Sequence, residues 1–243
     1  MQVVWDWFRW LNDTTGINLT IFYDKFDRGR FASGFLMTVK LSLICIVLSV
    51  VIGVVGAWIQ GSRVRIARTI VHWYIQAFRN TPPLVQLYFF YFGQGSLLKA
   101  SAGGPLVTNV TWAIVSLSFF AGAFNVEIFR AGVEAVPQTT IEAAESLGFS
   151  RTQTYLRIVL PLAFRISLPA LNNNLVNLVK TTTLAYAIAV PEMLYVSSQI
   201  WSDELNVPVM MNVLLVCYFL LVGILVYAMH RWERAIRVPG FGV

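Results

Sequence analysis

An all-α integral membrane fold with five transmembrane helices is predicted for this chain by three observations. Of its 243 residues 57% are apolar and 12% are charged, too little polar surface to cover a soluble globule. Five apolar segments, at about 31–60, 66–92, 107–129, 160–190 and 209–229, mostly exceed the ~20 residues a helix needs to cross a bilayer. Between the third and fourth lies a short polar stretch, Thr139 to Pro161, carrying the signals of two capped helices and a corner.

Five spans put the termini on opposite sides. Segments on the C-terminal side hold Arg63, Arg65, Arg68, then Arg130, Arg151, Arg157, Arg165, then Arg231, Arg234, Arg237. Those on the other side hold half as many basic residues: Arg9, Lys25, Arg28, Arg30 and Lys99. The positive-inside rule therefore predicts the N-terminus outside and the C-terminus in the cytoplasm, with the polar stretch cytoplasmic as well. The same bias accounts for the net charge of +6 without nucleic acid, because the arginines do not cluster on one soluble face.

Taken in order, residues 1–30 form an outer-face interfacial segment. They lack the basic start, apolar core and small-residue cleavage site of a signal peptide and are expected to be retained. Val4, Phe8 and Leu11 recur at helical spacing among Trp5, Trp7 and Trp10, which suits a short helix at the lipid headgroups; an unstructured aromatic leader is the alternative. Residues 31–229 form the transmembrane domain, and 230–243 a basic cytoplasmic tail. Lys40 falls inside the first span.

The second span is interrupted at Arg79 to Pro83, where two prolines free backbone carbonyls and a guanidinium needs a counter-charge or water. Two readings stand. Arg79 staples a kink to Glu127 on the third span, or the broken helix borders a translocation path.

In the polar stretch, Thr139 and Glu142 have capping-box spacing, which predicts a helix starting at Thr140. Ala143 and Ala144 keep one face thin, and Gly148 is expected to end the helix in the left-handed region. Ser150 with Gln153 repeats the box and starts a second helix, which Pro161 is expected to stop.

The fourth span carries Asn172, Asn173, Asn174 and Asn177, then Lys180 and Thr181 to Thr183. Asn173, Asn177 and Lys180 fall at i, i+4 and i+7 and make one polar stripe, which either glues helices together or lines a wet pathway. Thr181 to Pro191 reads as a loosened end leading to an outside loop at about 201–208, before the fifth span. Cys45 and Cys217 lie in apolar runs and read as buried free thiols, while His72 and His230 are isolated, so no metal site is expected. No G-x4-G-K-[ST], nucleophile elbow or H-E-x-x-H occurs, and an ATP site or hydrolytic centre in this chain is not expected.

Glu142, Ala143, Ala144, Gly148, Ile158, Leu160 and Pro161 resemble the EAA-x3-G-x9-I-x-L-P signature of the membrane subunits of bacterial ABC importers. Arg79-Asn80-Thr81-Pro82-Pro83-Leu84-Val85-Gln86 and Asn177-Leu178-Val179-Lys180-Thr181-Thr182-Thr183-Leu184 are similar to blocks of that family's polar-amino-acid branch. The resemblance implies a permease subunit in the inner membrane. Its coupling helix, at about 139–149 with Thr139, Glu142, Ala143, Ala144, Gly148 and Phe149, would sit in a groove of an ATPase subunit, one of two partner subunits that bind ATP and Mg. A periplasmic amino-acid-binding protein and a second permease copy or paralogue would be further partners. The pathway for polar L-amino acids would involve Arg79, Asn173, Asn177, Lys180 and Thr181. Lys40, as an extra cation, favours acidic or amide side chains. The rival is a secondary transporter or channel needing no ATPase, whose signature is an acidic relay inside the spans; Glu127 reads as the only clear acid there. An integral membrane enzyme is the third class, and no paired acid-base constellation supports it.

Overall fold

The computed structural model describes residues 2–95 and 107–236, with side chains from Trp5 onward. Lys99, Arg237 and the Val4 side chain, all used above, lie outside the described residues. All regular structure among the described residues is helical.

The N-terminal segment is a helix, α1 (Gln2–Thr15), which decides against the unstructured leader. It closes at Gly16, whose φ of 74° lets its N–H reach Asn12 O at 2.9 Å, and Phe8 stacks on Phe22 at 4.6 Å between centroids. One turn follows, α2 (Thr20–Tyr23). The first long helix, α3 (Lys25–Gln60), begins six residues ahead of the expected span. Asp24 explains this: its Oδ1 accepts from the N–H groups of Phe26 and Asp27 at 2.8 and 2.9 Å, capping orphan donors of the first turn.

The expected second span is in pieces. Helix α4 (Arg65–Arg79) stops at Asn80, α5 (Pro83–Tyr88) restarts the chain, and a π-helical turn, Phe89–Gln94, follows. At 15 residues, α4 is about 22 Å long, short of a ~30 Å hydrocarbon core. After it come α6 (Asn109–Glu134), α7 (Gln138–Ser146) and α8 (Arg151–Thr154), then a π turn, Tyr155–Val159, and α9 (Leu160–Thr181). A 3₁₀ helix, Thr182–Ile188, α10 (Met193–Glu204) and α11 (Val207–Ala235) follow. Among the described residues four stretches are long and apolar enough to cross a membrane: Lys25–Gln60, Asn109–Glu134, Arg151–Ile188 and Val207–Ala235.

The loop expected at 201–208 is not there. Helix α10 runs on to Glu204, and the corner shrinks to Leu205, at φ 53°, and Asn206. The side chain of Asn206 donates to Asn18 O at 2.8 Å, while its carbonyl accepts the first bonds of α11 from Val209 and Met210. Asp203 is held by Arg30 at 2.8 Å, so the last turn of α10 is anchored rather than frayed.

The contacts divide the chain into two compact units. In the first (Met1–Ile44, Leu87–Val115, Val179–Gly223), Ile21, Val196, Ile200 and Met210 form a core covered by Phe31, Trp201 and Val213. In the second (Cys45–Gln86, Ser116–Leu178, Ile224–Val243), one cluster joins Val136, Val159 and Ala163 with Ile141, and another joins Leu168, Leu171 and Leu175 with Val50, Ile128 and Met229.

Within the second unit α6 and α9 meet through a small residue, as helices in lipid commonly do. A Cβ on Gly132 would collide with Ser167 Oγ and would lie 2.7 Å from Ala163 O. Ser167 Oγ is committed to Ala163 O at 2.8 Å, so it cannot step aside freely. Gly132→Ala is therefore expected to destabilise the protein by about 1–3 kcal/mol through overpacking, read as a lower unfolding temperature in detergent; an unchanged temperature would contradict the close approach.

Candidate functional site

The polar stretch between α6 and α9 folds as helix, corner, helix. Its start differs from expectation: α7 begins at Gln138 with Pro137 as its cap (φ −59°, ψ 136°) and no side-chain cap. Thr139 and Glu142 do not form the expected box. The proline ring presets its own φ, and its carbonyl accepts from Thr140 N at 3.0 Å. The helix thus opens two residues early and carries Thr139 into its first turn, past the position from which a cap can act. Ile141 turns inward to Val136, Val159 and Ala163, and Ala144 is buried. The opposite face, Thr139, Glu142, Ala143, Ser146 and Leu147, is exposed.

Gly148 stands at φ 85°, the left-handed position that a Cβ disfavours. Its N–H reaches Glu145 O at 3.0 Å and Phe149 N reaches Ala144 O at 3.2 Å, the paired bonds of a Schellman ending. The second box forms as expected: Ser150 N donates to Gln153 Oε1 at 2.9 Å and Gln153 N to Ser150 Oγ at 3.4 Å. Pro161, however, does not stop the helix. It is the second residue of α9, and the π turn before it opens the bonding ladder where the proline's missing N–H falls.

At the broken span, the unpaired backbone is mended by a side chain. Gln86, itself buried, donates through Nε2 to Phe78 O at 2.8 Å, Thr81 O at 3.0 Å and Thr81 Oγ1 at 2.7 Å. Arg79 lies 3.5 Å from Glu127, with its guanidinium 5.3 Å from the Phe124 ring centroid. Glu127 also binds Arg130 at 3.0 Å, and Arg130 binds Glu134 at 2.6 Å. The staple to Glu127 is thus formed.

On α9 the asparagines divide their work. Asn174 donates to Asn125 Oδ1 at 2.8 Å and Ala121 O at 3.0 Å, and Asn172 donates to Glu233 at 3.2 Å, so these two supply the glue between helices. Asn173, Asn177 and Lys180 form one exposed face, and Thr181 is half-buried beside it.

Three residues escaped the sequence reading. Gln86 was noted only as part of a motif, and Leu147 projects from a polar helix at 78% exposure. Glu192, which lies beyond the fourth apolar segment, is 0% exposed and caps α10 by accepting from Leu194 N and Tyr195 N at 2.9 and 2.8 Å. Its one sequence signal is a lone acid after Pro191 at the head of a helix. Among the described residues no three His, Cys, Asp or Glu side chains converge to hold a metal.

The family described as binding-protein-dependent transport system inner membrane component matches residues 49–235. A probable amino-acid permease protein of Bacillus subtilis (strain 168) is 30% identical over 203 residues, covering 84% of this chain and 89% of that one. An L-cystine transport system permease protein of the same organism is 30% identical over 175 residues, covering 72% of each. The crystal structure of an amino acid ABC transporter with histidines superposes with a TM-score of 0.77 at 26% identity, over 86% of this chain and 94% of that chain.

The Gln86 mend is open to direct test. Gln86→Leu keeps the approximate bulk but withdraws the donor from Phe78 O and Thr81 O, and leaving such groups unsatisfied costs about 1–3 kcal/mol. A lower unfolding temperature in detergent is expected, and a melt indistinguishable from wild type would remove Gln86 as the mend.

Proposed function

This chain belongs to the family of binding-protein-dependent transport system inner membrane components, and from that premise we propose that it is the permease subunit of an ABC importer for polar L-amino acids. It is a multi-pass protein of the inner membrane. In this reading α4, α5 and the π turn together make a broken second crossing, giving five. Residues 1–30 lie at the outer surface, 31–229 form the transmembrane domain, and 230–243 are a cytoplasmic tail. The hairpin then faces the cytoplasm, where ATP is.

The observation that carries the proposal is the division of α7 into an inward face, Ile141 and Ala144, and an exposed face, Thr139, Glu142, Ala143 and Leu147, closed by the Gly148 corner. A two-turn polar helix that shows a thin alanine and a large exposed leucine has the shape of a plug for a partner's groove. Two ATPase subunits, carrying ATP and Mg, are the proposed partners. Phe149 and the Ser150 box fix the direction in which the chain leaves the plug.

Asn173, Asn177, Lys180 and Thr181 are the proposed pathway lining, with Arg79 at the edge of the broken span. A periplasmic amino-acid-binding protein delivers substrate, and a second permease copy or paralogue completes the route. Lys40 is exposed on α3 and supports acidic or amide side chains as substrates, since a cation inside a span is retained where it meets an anion or dipole. ATP-driven closure of the ATPases then biases the permeases between two states through contacts that differ in each.

Gly148→Val tests the coupling role. No atom lies within 4 Å of a Cβ built there, so the cost is the backbone's alone, about 1–2 kcal/mol for a branched residue in the left-handed region. The variant is expected to insert at normal levels. Its ATPase subunits are expected to dissociate, or to hydrolyse ATP without responding to the loaded binding protein. Full partner binding with full stimulation would remove residues 139–161 as the coupling element.

A further inference from the structure

Glu192 has no part in the hairpin or in the exposed face of α9, yet its carboxylate is among the most deeply buried groups in the chain. It sits at the far end of a strained connector. After Thr181 the chain tightens into the 3₁₀ helix Thr182–Ile188, a form with poorer hydrogen-bond geometry that is seldom this long. Ala189 follows at φ 56°, a left-handed conformation that costs a residue with a Cβ. Such a segment persists only where its surroundings hold it. Asn109 holds one side, its Nδ2 donating to Ile188 O at 3.2 Å and Ala189 O at 2.7 Å. Glu192 holds the other.

The contacts of Glu192 exceed what a helix cap needs. Beyond the two N–H groups of α10, its Oε2 accepts from the Tyr218 hydroxyl of α11 at 3.0 Å, and Thr38 Oγ1 of α3 lies 3.5 Å away. Thr38 Oγ1 in turn accepts from Met193 N at 2.9 Å, and its single proton is shared between Glu192 Oε2 and Gly34 O, the latter at 3.2 Å. Three helices thus meet on one carboxylate, and no ion pair to it occurs among the described residues. A cap alone is served by Ser, Asp or Asn, whereas a buried carboxylate without a counter-cation is costly to keep.

We propose that Glu192 is a positioning residue for transport, its carboxylate setting the place of residues 182–191 by tying them to α3 and α11. The inference rests on the importer reading. Residues 182–191 continue directly from Lys180 and Thr181, so their place sets the end of the proposed pathway. Weakening the tie shifts the balance between two positions of the segment, and ATP hydrolysis then depends less on the loaded binding protein.

The test uses the complete complex, permease with ATPase subunits in lipid nanodiscs, assayed for ATP hydrolysis with and without substrate-loaded binding protein. Glu192→Asp keeps a favoured cap for α10 but is one methylene short of Tyr218, and Tyr218→Phe removes only the hydroxyl. Both variants are expected to match wild type in amount and in KM for the loaded binding protein, with unfolding temperatures lowered by a few degrees at most and still well above the assay temperature. Their ratio of stimulated to basal hydrolysis is expected to fall about tenfold, the scale of one lost charge-assisted hydrogen bond. Should Glu192→Asp fail to assemble, Tyr218→Phe carries the test alone. Wild-type stimulation in the variants overturns the proposal, as does a loss of stimulation that merely follows a loss of stability. A wild-type complex with no stimulation overturns the importer reading and this inference with it, a result told apart by its appearing without any substitution.

Discussion

A chain in lipid has no water to satisfy a broken backbone, so each interruption of its helices must be mended from within. At the Arg79–Pro83 break the mend is the Gln86 amide, which gathers Phe78 O and both oxygens of Thr81. At the break after Thr181 it is Asn109 on one side and Glu192 on the other. The corner of the polar hairpin is closed by its own backbone and by Ser150 with Gln153. Function is proposed at each of these three places. An interrupted helix is tolerated against protein or a wet cavity and not against lipid tails.

How much was legible in the sequence follows from the reach of each interaction. The Gly148 corner and the Ser150 box involve residues at most a few positions apart, and both stand where spacing placed them. Thr139 with Glu142 has the same spacing and was misread, because Pro137, two residues upstream, opens the helix first. Pro161 was read as a stop because a proline's cost was assessed against an α-helical ladder, while the chain meets it with a π turn. The prolines at 82 and 83 announced the break in the second span, but nothing local announced that Gln86 reaches back 8 residues to Phe78. Glu192 was out of reach: its partners Thr38 and Tyr218 lie 154 and 26 positions away.

The asparagine cluster shows the same limit within one helix. Periodicity placed Asn173, Asn177 and Lys180 on one face and left glue and pathway as competing roles for it. The structure assigns the glue to Asn172 and Asn174, one position to either side of Asn173, and leaves the original face exposed. Which polar face of a helix turns inward depends on what its neighbours offer, here Asn125, Ala121 O and Glu233.

The central claim is that this chain moves solute only when driven by a separate ATPase. Uptake of labelled amino acids into proteoliposomes tests it most directly, comparing the chain alone with the chain reconstituted with ATPase subunits, binding protein and ATP. Uptake is predicted only in the complete system, and only while ATP is hydrolysed. Accumulation by the chain alone would contradict the account and establish a transporter that needs no ATPase.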